Sequence, residues 1–296
     1  MGRIAVLGSA NMDLVVRQPR AVRPGETIFG TSFEAGAGGK GLNQAIAAVR
    51  AGAEVAFVGA VGDDSFGELL RARLAGDGVD TVALRTIADP TGIAAITVTD
   101  DGENAIVVVS GANAQHDFDD RDRAVIAGSS HLVVQFERPA ALLREALAYA
   151  RERGITTVLT PAPARTGLAD LVALADILVP NEGEAILLSG EPDAEDAAIA
   201  LSQAGGTVVV TRGSRGAVVA RAGRVIHTVA AYPATVVDTT GAGDTFTGAL
   251  VAWLAAGADL SEALSAAAAA ASLAVGRPGA ADAAPTRAEI REIVAG

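Results

Sequence analysis

Short β-branched runs alternate with alanine-rich stretches along most of this 296-residue chain, and no other feature constrains its fold as strongly. The runs have the length and composition of buried strands, and the stretches between them have the length of helices. The predicted strands cover residues 4–7, 55–60, 132–135, 156–160, 177–179 and 208–211, and the predicted helices cover residues 44–51, 66–75, 142–152 and 194–203. This order predicts an α/β fold with a doubly wound, mostly parallel central sheet and helices on both faces.

Two segments interrupt the alternation. Residues 13–36 and 91–110 contain strand patterns but no helix pattern, with turn residues at 24–25 and 99–104. We predict that they pair into a small β-sheet lid on a single α/β domain spanning residues 1–296. The alternative is that they form edge strands of the main sheet. The unpaired edges of such a lid favour a homodimer that forms through it.

Composition and charge narrow the function. With 50% hydrophobic but only 3% aromatic residues, the core must consist mainly of Ala, Val, Ile and Leu. The formal net charge of −12 argues against a nucleic-acid partner, since binding would require a basic surface. The absence of cysteine excludes disulfides and thiolate chemistry. The chain begins with a strand pattern and has no apolar stretch of bilayer length, which predicts a cytoplasmic protein without a membrane partner.

A Gly-rich turn before an apolar helix is the most informative motif. It contains Gly241, Ala242 and Gly243, and Asp244 follows directly. Glycine leaves the N–H groups of such a turn accessible, and together with the helix dipole they can bind an anion. Asp244 has two interpretations. It is either an ordinary acid at a helix N-terminus or, if the anion is a phosphoryl group in transfer, the base that accepts the proton of the attacking hydroxyl.

A second Gly-rich turn opens the helix predicted at residues 44–51. It contains Gly38, Gly39 and Lys40 and is followed by Asn43, but it lacks the spacing of a P-loop. Lys40 is the only lysine of the chain, and all the other cationic side chains that stay charged at neutral pH are arginines. This bias favours a role for a compact ammonium group at position 40, with chance retention as the alternative.

Further polar residues follow predicted strands, at the sheet edge where ligands bind in doubly wound folds. They are Asn11, Asp13, Asn181, Glu184, Thr211, Gly213 and Gly216. The first two suit hydrogen bonds to sugar hydroxyls, although an Asx turn explains them equally simply. The next two offer oxygens to a hydrated Mg²⁺, and the last three suit a nucleotide cleft.

Taken together, these motifs resemble the signatures of the PfkB family of carbohydrate kinases and, within it, the ribokinases. The stretch Asp-Thr-Thr-Gly-Ala-Gly-Asp-Thr-Phe at 238–246 is similar to the C-terminal signature, and Gly-Gly-Lys-Gly-Leu-Asn-Gln-Ala at 38–45 to the N-terminal one. The resemblance extends from residue 8 to about residue 285. It is strengthened by residues 23–27, 102–106, 135–137 and 161–164.

The resemblance implies ATP-dependent phosphorylation of D-ribose at its 5-hydroxyl, and it implies a role for each site residue. Asp244 would be the base and Gly241, Ala242 and Gly243 the anion hole. Ribose would be bound by Asn11, Asp13, Gly38, Gly39, Lys40, Asn43, Glu137 and Asp244. The nucleotide would be bound by Asn181, Glu184, Thr211, Gly213, Gly216 and Gly243, with Glu184 near Mg²⁺. A monovalent cation, usually K⁺, would be bound by Asp238, Thr240, Ala274, Arg277 and Gly279.

Two points stay open within this interpretation. Ala283 stands where ribokinases often have serine, so one ligand of the monovalent cation is in doubt. Kinases that act on 2-deoxyribose, fructose or adenosine share the motifs, and a non-catalytic sugar sensor is an alternative of a different class. A retained carboxylate aimed at a phosphate site argues against the sensor.

Overall fold

The computed structural model describes residues 2–115 and 117–295, in which the chain forms thirteen strands and ten α-helices. The strands are β1 (Ile4–Leu7), β2 (Asn11–Gln18), β3 (Ser32–Gly38), β4 (Val55–Gly62), β5 (Asp80–Ile87), β6 (Gly92–Thr99), β7 (Asn104–Val109), β8 (His131–Gln135), β9 (Thr156–Thr160), β10 (Ile177–Leu178), β11 (Thr207–Thr211), β12 (Ala217–Arg221) and β13 (Arg224–Val229). The helices are α1 (Lys40–Arg50), α2 (Ser65–Gly76), α3 (Asp120–Ala127), α4 (Ala140–Glu152), α5 (Ala169–Val172), α6 (Glu182–Ser189), α7 (Ala194–Ser202), α8 (Ala242–Ala255), α9 (Leu260–Ala274) and α10 (Arg287–Ala295).

The larger sheet runs in the order β13-β12-β11-β10-β9-β8-β1-β4-β5. Every pairing from β5 to β11 is parallel, whereas β12 and β13 add an antiparallel edge. The doubly wound, mostly parallel sheet predicted from the sequence is confirmed. Parallel strands all end at one edge of a sheet, so the loops that follow β1, β8, β9, β10 and β11 meet there.

Helices cover both faces of this sheet, because the side chains of its central strands alternate between two buried cores. Ile4 and Val6 of β1 belong to the core under α1, α2, α8 and α9. Ala5 and Leu7 of the same strand belong to the core under α3, α4 and α7. Burial of each large aliphatic side chain contributes about 1.5–3 kcal/mol, so both layers hold the sheet rigidly.

The smaller sheet has the order β3-β2-β6-β7, with β2 and β6 parallel and the outer pairs antiparallel. Its strands come from the two segments that lack a helix pattern, and β2 and β3 extend two residues beyond the expected limits, to Asn11 and Gly38. Only three residues separate β1 from β2. The smaller sheet is therefore fixed to the sheet edge where the loops meet. Within residues 2–115 and 117–295, none of the helices has the length and apolar character needed to cross a membrane.

Candidate active site

Asp244 lies in the first turn of α8, and only 7% of the residue is exposed. The helix is preceded by Gly241, whose φ of 71° suits glycine and whose Cβ, if present, would lie 2.8 Å from Ala280. The carboxylate does not cap its own helix. Its Oδ1 accepts a hydrogen bond from Nε2 of Gln44 at 2.8 Å, and its Oδ2 accepts one from Nδ2 of Asn43 at 3.3 Å. Asp244 is thus a first-turn acid of α8, as one interpretation expected, but its carboxylate is oriented by α1 and does not cap its own helix.

The contact between α1 and α8 makes this arrangement possible. Gly248 lies one turn after Asp244, and a Cβ at this position would come within 2.6 Å of the Ala47 Cβ and 2.8 Å of the Gln44 carbonyl oxygen. The helices therefore touch backbone to backbone. Because of this close approach, side chains about 200 residues apart in the chain can form hydrogen bonds.

The turn before Asp244 has the properties of an anion site. Nothing within 4 Å would meet a Cβ at Gly243, so one side of the turn faces open space. The N–H of Ala242 donates to the Thr239 carbonyl at 3.3 Å. In the described part of the chain, the N–H groups of Gly243 and Asp244 have no acceptor. Two free donors at a helix N-terminus attract an anion.

The second Gly-rich turn faces this anion site. Lys40 donates its backbone N–H to Oε2 of Glu137 at 3.0 Å, and the Ser9 hydroxyl also donates to that oxygen. Gly38 lies against Asp13, since any Cβ at Gly38 would overlap the carboxylate. Gly39 has a φ of 93° and packs on the Ser9 carbonyl, which explains why glycine is needed there. The turn thus brings the Asp13 and Glu137 carboxylates to one end of α1.

Asn43 and Asn11 each have one amide atom for which the described residues offer no partner. Asn43 is buried, and its Oδ1 has no hydrogen-bond donor among them. The Oδ1 of Asn11 accepts from Nδ2 of Asn113 at 2.7 Å, and no acceptor in that part of the chain reaches the Nδ2 of Asn11. Asn113 also bonds both the N–H and the carbonyl of Ala10, at 3.1 and 3.0 Å. Asn113 therefore fixes the amide orientation of Asn11.

Charges in the site are strongly coupled. Burial, reinforced by Glu137 and Asp244, raises the pKa of Asp13 to about 6. Burial also raises the pKa of Asp244, against the opposing effects of the Lys40 ammonium and the amides of Gln44 and Asn43. Burial alone would lower the pKa of Lys40, but Asp244, Glu137 and Glu184 outweigh it, so the pKa of Lys40 is raised. Lys40 therefore stays charged and interacts with three carboxylates, those of Asp244, Glu137 and Glu184.

Asn181 and Glu184 lie at the next part of this edge, after β10. They form a capping box at the start of α6, in which Oδ1 of Asn181 accepts from the Glu184 N–H at 2.9 Å and Oε2 of Glu184 accepts from the Asn181 N–H at 2.8 Å. Burial raises the pKa of Glu184, which also interacts electrostatically with Lys40 and Asp244. Thr211 pairs with Asn181 in a parallel bridge. The oxygens predicted for Mg²⁺ thus also stabilise a helix start.

A turn and a cavity follow β11. Gly213 faces open space, whereas Gly216 has a φ of 75° and packs directly on the Val229 carbonyl. Beside Val229 lies a cavity of about 430 Å³, lined by residues 227–233, Ser261 and Ser265. The cavity therefore lies between the end of β13 and the start of α9.

The residues predicted to bind a monovalent cation come together beside the anion turn. Asp238 accepts from the N–H groups of Thr240 and Gly279, both at 2.9 Å. Ala274 ends α9, and the N–H of Arg277 bonds to its carbonyl at 3.0 Å. Carboxylate and carbonyl oxygens of this kind fit a monovalent cation, while Ala283 supplies no side-chain oxygen. Among the described residues, no group of three or more acidic or histidine side chains is placed to hold a metal ion by itself.

Comparison with known proteins decides the family. Residues 1–287 match the model of the pfkB family of carbohydrate kinases. The chain belongs to the PfkB family of carbohydrate kinases. Over 300 residues it is 38% identical to a ribokinase of Haemophilus influenzae, covering 98% of both chains. It is also 33% identical over 271 residues to a deoxyribokinase of Salmonella typhi, covering 88% of both. The structure of Arabidopsis thaliana ribokinase with ribose and ATP superposes with a TM-score of 0.94 at 33% identity, covering 99% of this chain and 98% of that one.

The structure of this PfkB kinase gathers the sequence-predicted residues into three groups, around Asp13, Glu137 and Asp244, around Thr211, and around Asp238. Sequence reasoning assigned no role to four residues that hold the first group in place: Ser9, Gln44, Asn113 and Gln135. Gln44 and Gln135 lie within family-like stretches, so motif membership was the available signal for them. Asn113 follows the lid strand β7 with no such signal.

Proposed function

We propose that the chain transfers the γ-phosphoryl group of ATP to the 5-hydroxyl of D-ribose, yielding ribose 5-phosphate and ADP. The observation that carries this proposal is the Asp244 carboxylate, which is buried and oriented beside an anion turn with free N–H groups. The names of the ribokinase relatives, and the ribose and ATP bound in the plant enzyme, support sugar and nucleotide as the two ligands.

In the reaction, Asp244 accepts the proton of the 5-hydroxyl while that oxygen attacks the γ-phosphorus in line. The N–H groups of Gly243 and Asp244 then stabilise the charge on the phosphoryl oxygens, together with the Lys40 ammonium. Because the transition state of phosphoryl transfer is loose, the proton leaves late, and orientation of the base matters more than its basicity.

The sugar pocket recognises hydroxyl groups through complementary donors and acceptors. Asp13, Glu137 and the unpaired Oδ1 of Asn43 accept hydrogen bonds, and the Nδ2 of Asn11 donates one. A pentose carries a hydroxyl on almost every carbon, so it can satisfy these buried polar groups together. Closure of the β2–β3 and β6–β7 strands over the sugar would exclude water and limit ATP hydrolysis.

The nucleotide side supports ATP with Mg²⁺ and a monovalent cation. Mg²⁺ that is bound to the phosphates of ATP needs only one or two protein carboxylates, and Glu184 can supply one. Thr211, Gly213 and Gly216 would contact the nucleotide, and the cavity beside Val229 has room for its base. Ala280, which follows the cation-site residue Gly279, packs on Gly241 of the anion turn. K⁺ bound at the Asp238 site would therefore add positive charge near the phosphates.

The Asp244→Asn variant tests the proposal. Loss of the base should lower kcat by about 10²- to 10⁴-fold while the fold is kept. Asp259→Asn is the matched control, since Asp259 is an acid at a helix start that only caps α9, by accepting the Glu262 N–H at 2.9 Å. Its kcat should stay at the wild-type level. Near-normal turnover by Asp244→Asn, with circular dichroism unchanged, would refute the proposed role.

The second candidate substrate is 2-deoxyribose, favoured by the similarity to a deoxyribokinase. The two sugars differ by a single hydroxyl, so they differ in only one or two hydrogen bonds in the pocket. A coupled ADP-release assay across ribose, 2-deoxyribose, fructose and adenosine ranks them by kcat/KM. We expect ribose to lead, and a higher value for another sugar would replace it. Sugar binding in calorimetry without ADP release would identify a sensor.

A homodimer through the lid, in the cytoplasm where ATP is available, completes the proposal. Apolar side chains of β7 are more than half exposed on both of its faces, with Val107 at 65% and Val108 at 53%. Such a strand invites pairing with a second copy. Analytical ultracentrifugation should show a dimer at micromolar concentration that Val107→Lys dissociates. Leu187→Lys, at a position on α6 that is 52% exposed, should leave the dimer intact, and a monomeric wild type would contradict the proposal.

A further inference from the structure

A connected series of buried amide and hydroxyl groups leads to Asp244. Gln44 is 1% exposed, Gln135 and Thr247 are fully buried, and Thr160 is 7% exposed. They come from α1, β8, α8 and β9 respectively. Burial of a polar side chain in a core costs free energy unless the side chain forms hydrogen bonds there, so a connected group of them is unusual.

Hydrogen bonds connect these side chains to one another and to Asp244. Nε2 of Gln135 donates to Oε1 of Gln44 at 2.7 Å, and Nε2 of Gln44 donates to Oδ1 of Asp244 at 2.8 Å. The second N–H of the same Gln44 nitrogen reaches Oγ1 of Thr160 at 3.3 Å. Thr160 in turn approaches the Thr247 hydroxyl at 3.5 Å, and Thr247 donates to the Gly243 carbonyl at 3.0 Å. This series of hydrogen bonds therefore begins at Gln135 on β8 and ends at Gly243 in the anion turn.

These contacts permit only one orientation of the Gln44 amide. If it were flipped, its oxygen would face the Asp244 carboxylate and its NH₂ would face the NH₂ of Gln135, which are two repulsive contacts in place of two hydrogen bonds. Gln135 is itself packed tightly, since its Oε1 would lie 2.6 Å from a Cβ at Gly8. Packing against β1 therefore restrains the Gln135 side chain, and the hydrogen bond from Gln135 restrains the Gln44 amide.

We propose that Gln44 and Gln135 form a positioning relay that fixes the plane of the Asp244 carboxylate for proton transfer. The inference rests on the proposed phosphoryl transfer and deepens it. Gln44 occupies Oδ1, so Oδ2, which has only the longer bond to Asn43, is the oxygen left for the sugar hydroxyl. Neither glutamine touches the substrate.

The relay also opposes the electrostatic environment of Asp244. The charged groups that face this carboxylate are Lys40 at the start of α1, Glu137 after β8, Asp13 of β2 and Glu184 of α6. Burial raises the pKa of Asp244, and Glu137 adds to the rise, whereas Lys40 and the amides of Gln44 and Asn43 lower it. Removal of the Gln44 amide should raise this pKa further, so less of the base is ionised at neutral pH.

Kinetic variants provide the first test. Gln44→Met keeps the volume but removes the amide, and we expect kcat to fall by roughly 10- to 100-fold, with the KM values for ribose and ATP within about twofold. The acid limb of the kcat–pH profile should move up by about one pH unit. Gln135→Met should give a smaller change of the same kind, and Thr160→Val a still smaller one.

Thr157→Val is the control for these variants. Thr157 is fully buried on the same strand as Thr160, but it bonds the Leu174 carbonyl and Asp176 at the opposite end. It should lower stability without moving the pH profile. A wild-type profile in both Gln44→Met and Gln135→Met, or a rise in KM with kcat unchanged, would overturn the relay.

A second measurement does not depend on turnover. Titration of the Asp244 carboxyl carbon by NMR in the protein without substrate should give a higher pKa in Gln44→Met than in the wild type, and an equal value in Thr157→Val. Equal values in wild type and Gln44→Met would overturn the relay even if the enzyme phosphorylates ribose. A wild type inactive on every sugar tested would refute the proposed function and leave the titration result standing.

Discussion

The two carboxylates on opposite sides of the site, Asp244 in the α/β body and Asp13 in the lid, are held in contrasting ways. Asp244 accepts hydrogen bonds from Gln44 and Asn43 on a helix packed directly against its own. Asp13 lies on β2, and no donor from the described residues reaches its carboxylate. Its ionised form is disfavoured by burial and by Glu137 and Asp244, which raise its pKa to about 6.

This contrast separates the two tasks of a sugar kinase. The body fixes the base before any substrate arrives, so orientation at the reacting oxygen costs nothing at the moment of transfer. The lid carboxylate instead has no donor among the described residues. If a sugar hydroxyl donates to it, as proposed above, sugar binding would satisfy a buried charge and would favour lid closure when the acceptor is present.

Among the variants that test how the two carboxylates are held, the largest expected effect comes from separating α1 from α8. In Gly248→Ala, the new Cβ would lie 2.6 Å from the Ala47 Cβ, so the helices must move apart and the Gln44–Asp244 bond must lengthen. We expect kcat to fall on the order of 10²-fold, because small displacements of a base are costly. Overpacking should also lower the free energy of unfolding by about 1–3 kcal/mol.

Steady-state kinetics on folded protein, with thermal melts, checks this expectation. Gly76→Ala is the control, since nothing lies within 4 Å of a Cβ at that helical glycine. It should leave kcat unchanged. If Gly248→Ala retained full kcat despite a lower Tm, the body would not be fixing the base through this contact, and the contrast with the lid would fail.

A smaller but more diagnostic effect is expected for Asp13→Asn. Loss of a charged acceptor should raise the KM for ribose by about 10- to 100-fold with a lesser change in kcat. For the same reason, the KM of the wild type should rise as pH falls below about 6, where Asp13 becomes protonated. Asp101→Asn, in the exposed turn of the lid, should behave as the wild type.

The same variant should stabilise the protein at neutral pH. The pKa of Asp13 is raised from 3.8 to about 6 in the folded state, so the folded protein binds the proton more tightly than the unfolded chain. The associated stability is fully present below pH 3.8 and is lost as pH rises through about 6. The amide in Asp13→Asn does not ionise, so the variant does not lose stability as the pH rises. Urea titration at pH 7.5 should show a gain of about 1–3 kcal/mol that disappears near pH 4.

Local patterns predicted much of this architecture from sequence. The strands at 4–7 and 156–160 have the predicted bounds, and the parallel order follows from alternation of strands and helices. The antiparallel edge was not predicted, because β12 and β13 form a hairpin in a region without a helix to mark a crossover. Strand β5 was missed because exposed polar residues interrupt its apolar pattern.

Individual site residues were predicted where glycine or strand ends gave a local signal, as for Gly39 and Asp244. Their supports could not be predicted, because they depend on contacts between distant segments. Gln44 meets Asp244 200 residues along the chain, and Asn113 meets Asn11 102 residues away. No spacing rule within one segment reports such a pairing, which arises only when α1 packs on α8, or when the turn after β7 packs on the start of β2.

Asn113 therefore provides the last and smallest expected effect, on the lid side of the comparison. It ties the turn after β7 to Ala10 and fixes the orientation of the Asn11 amide, the group proposed above to donate to the sugar. In Asn113→Ala the amide of Asn11 is free to rotate, and loss of its orientation should lower kcat/KM for ribose by about fivefold, the equivalent of about 1 kcal/mol. Asn104→Ala, at the exposed start of β7, should have no effect on this ratio.

Because Asn113 does not support Asp244, the pH profile of kcat in Asn113→Ala should be that of the wild type. A shifted profile would show that lid and body are not separately held, and would contradict the division of tasks between the two carboxylates.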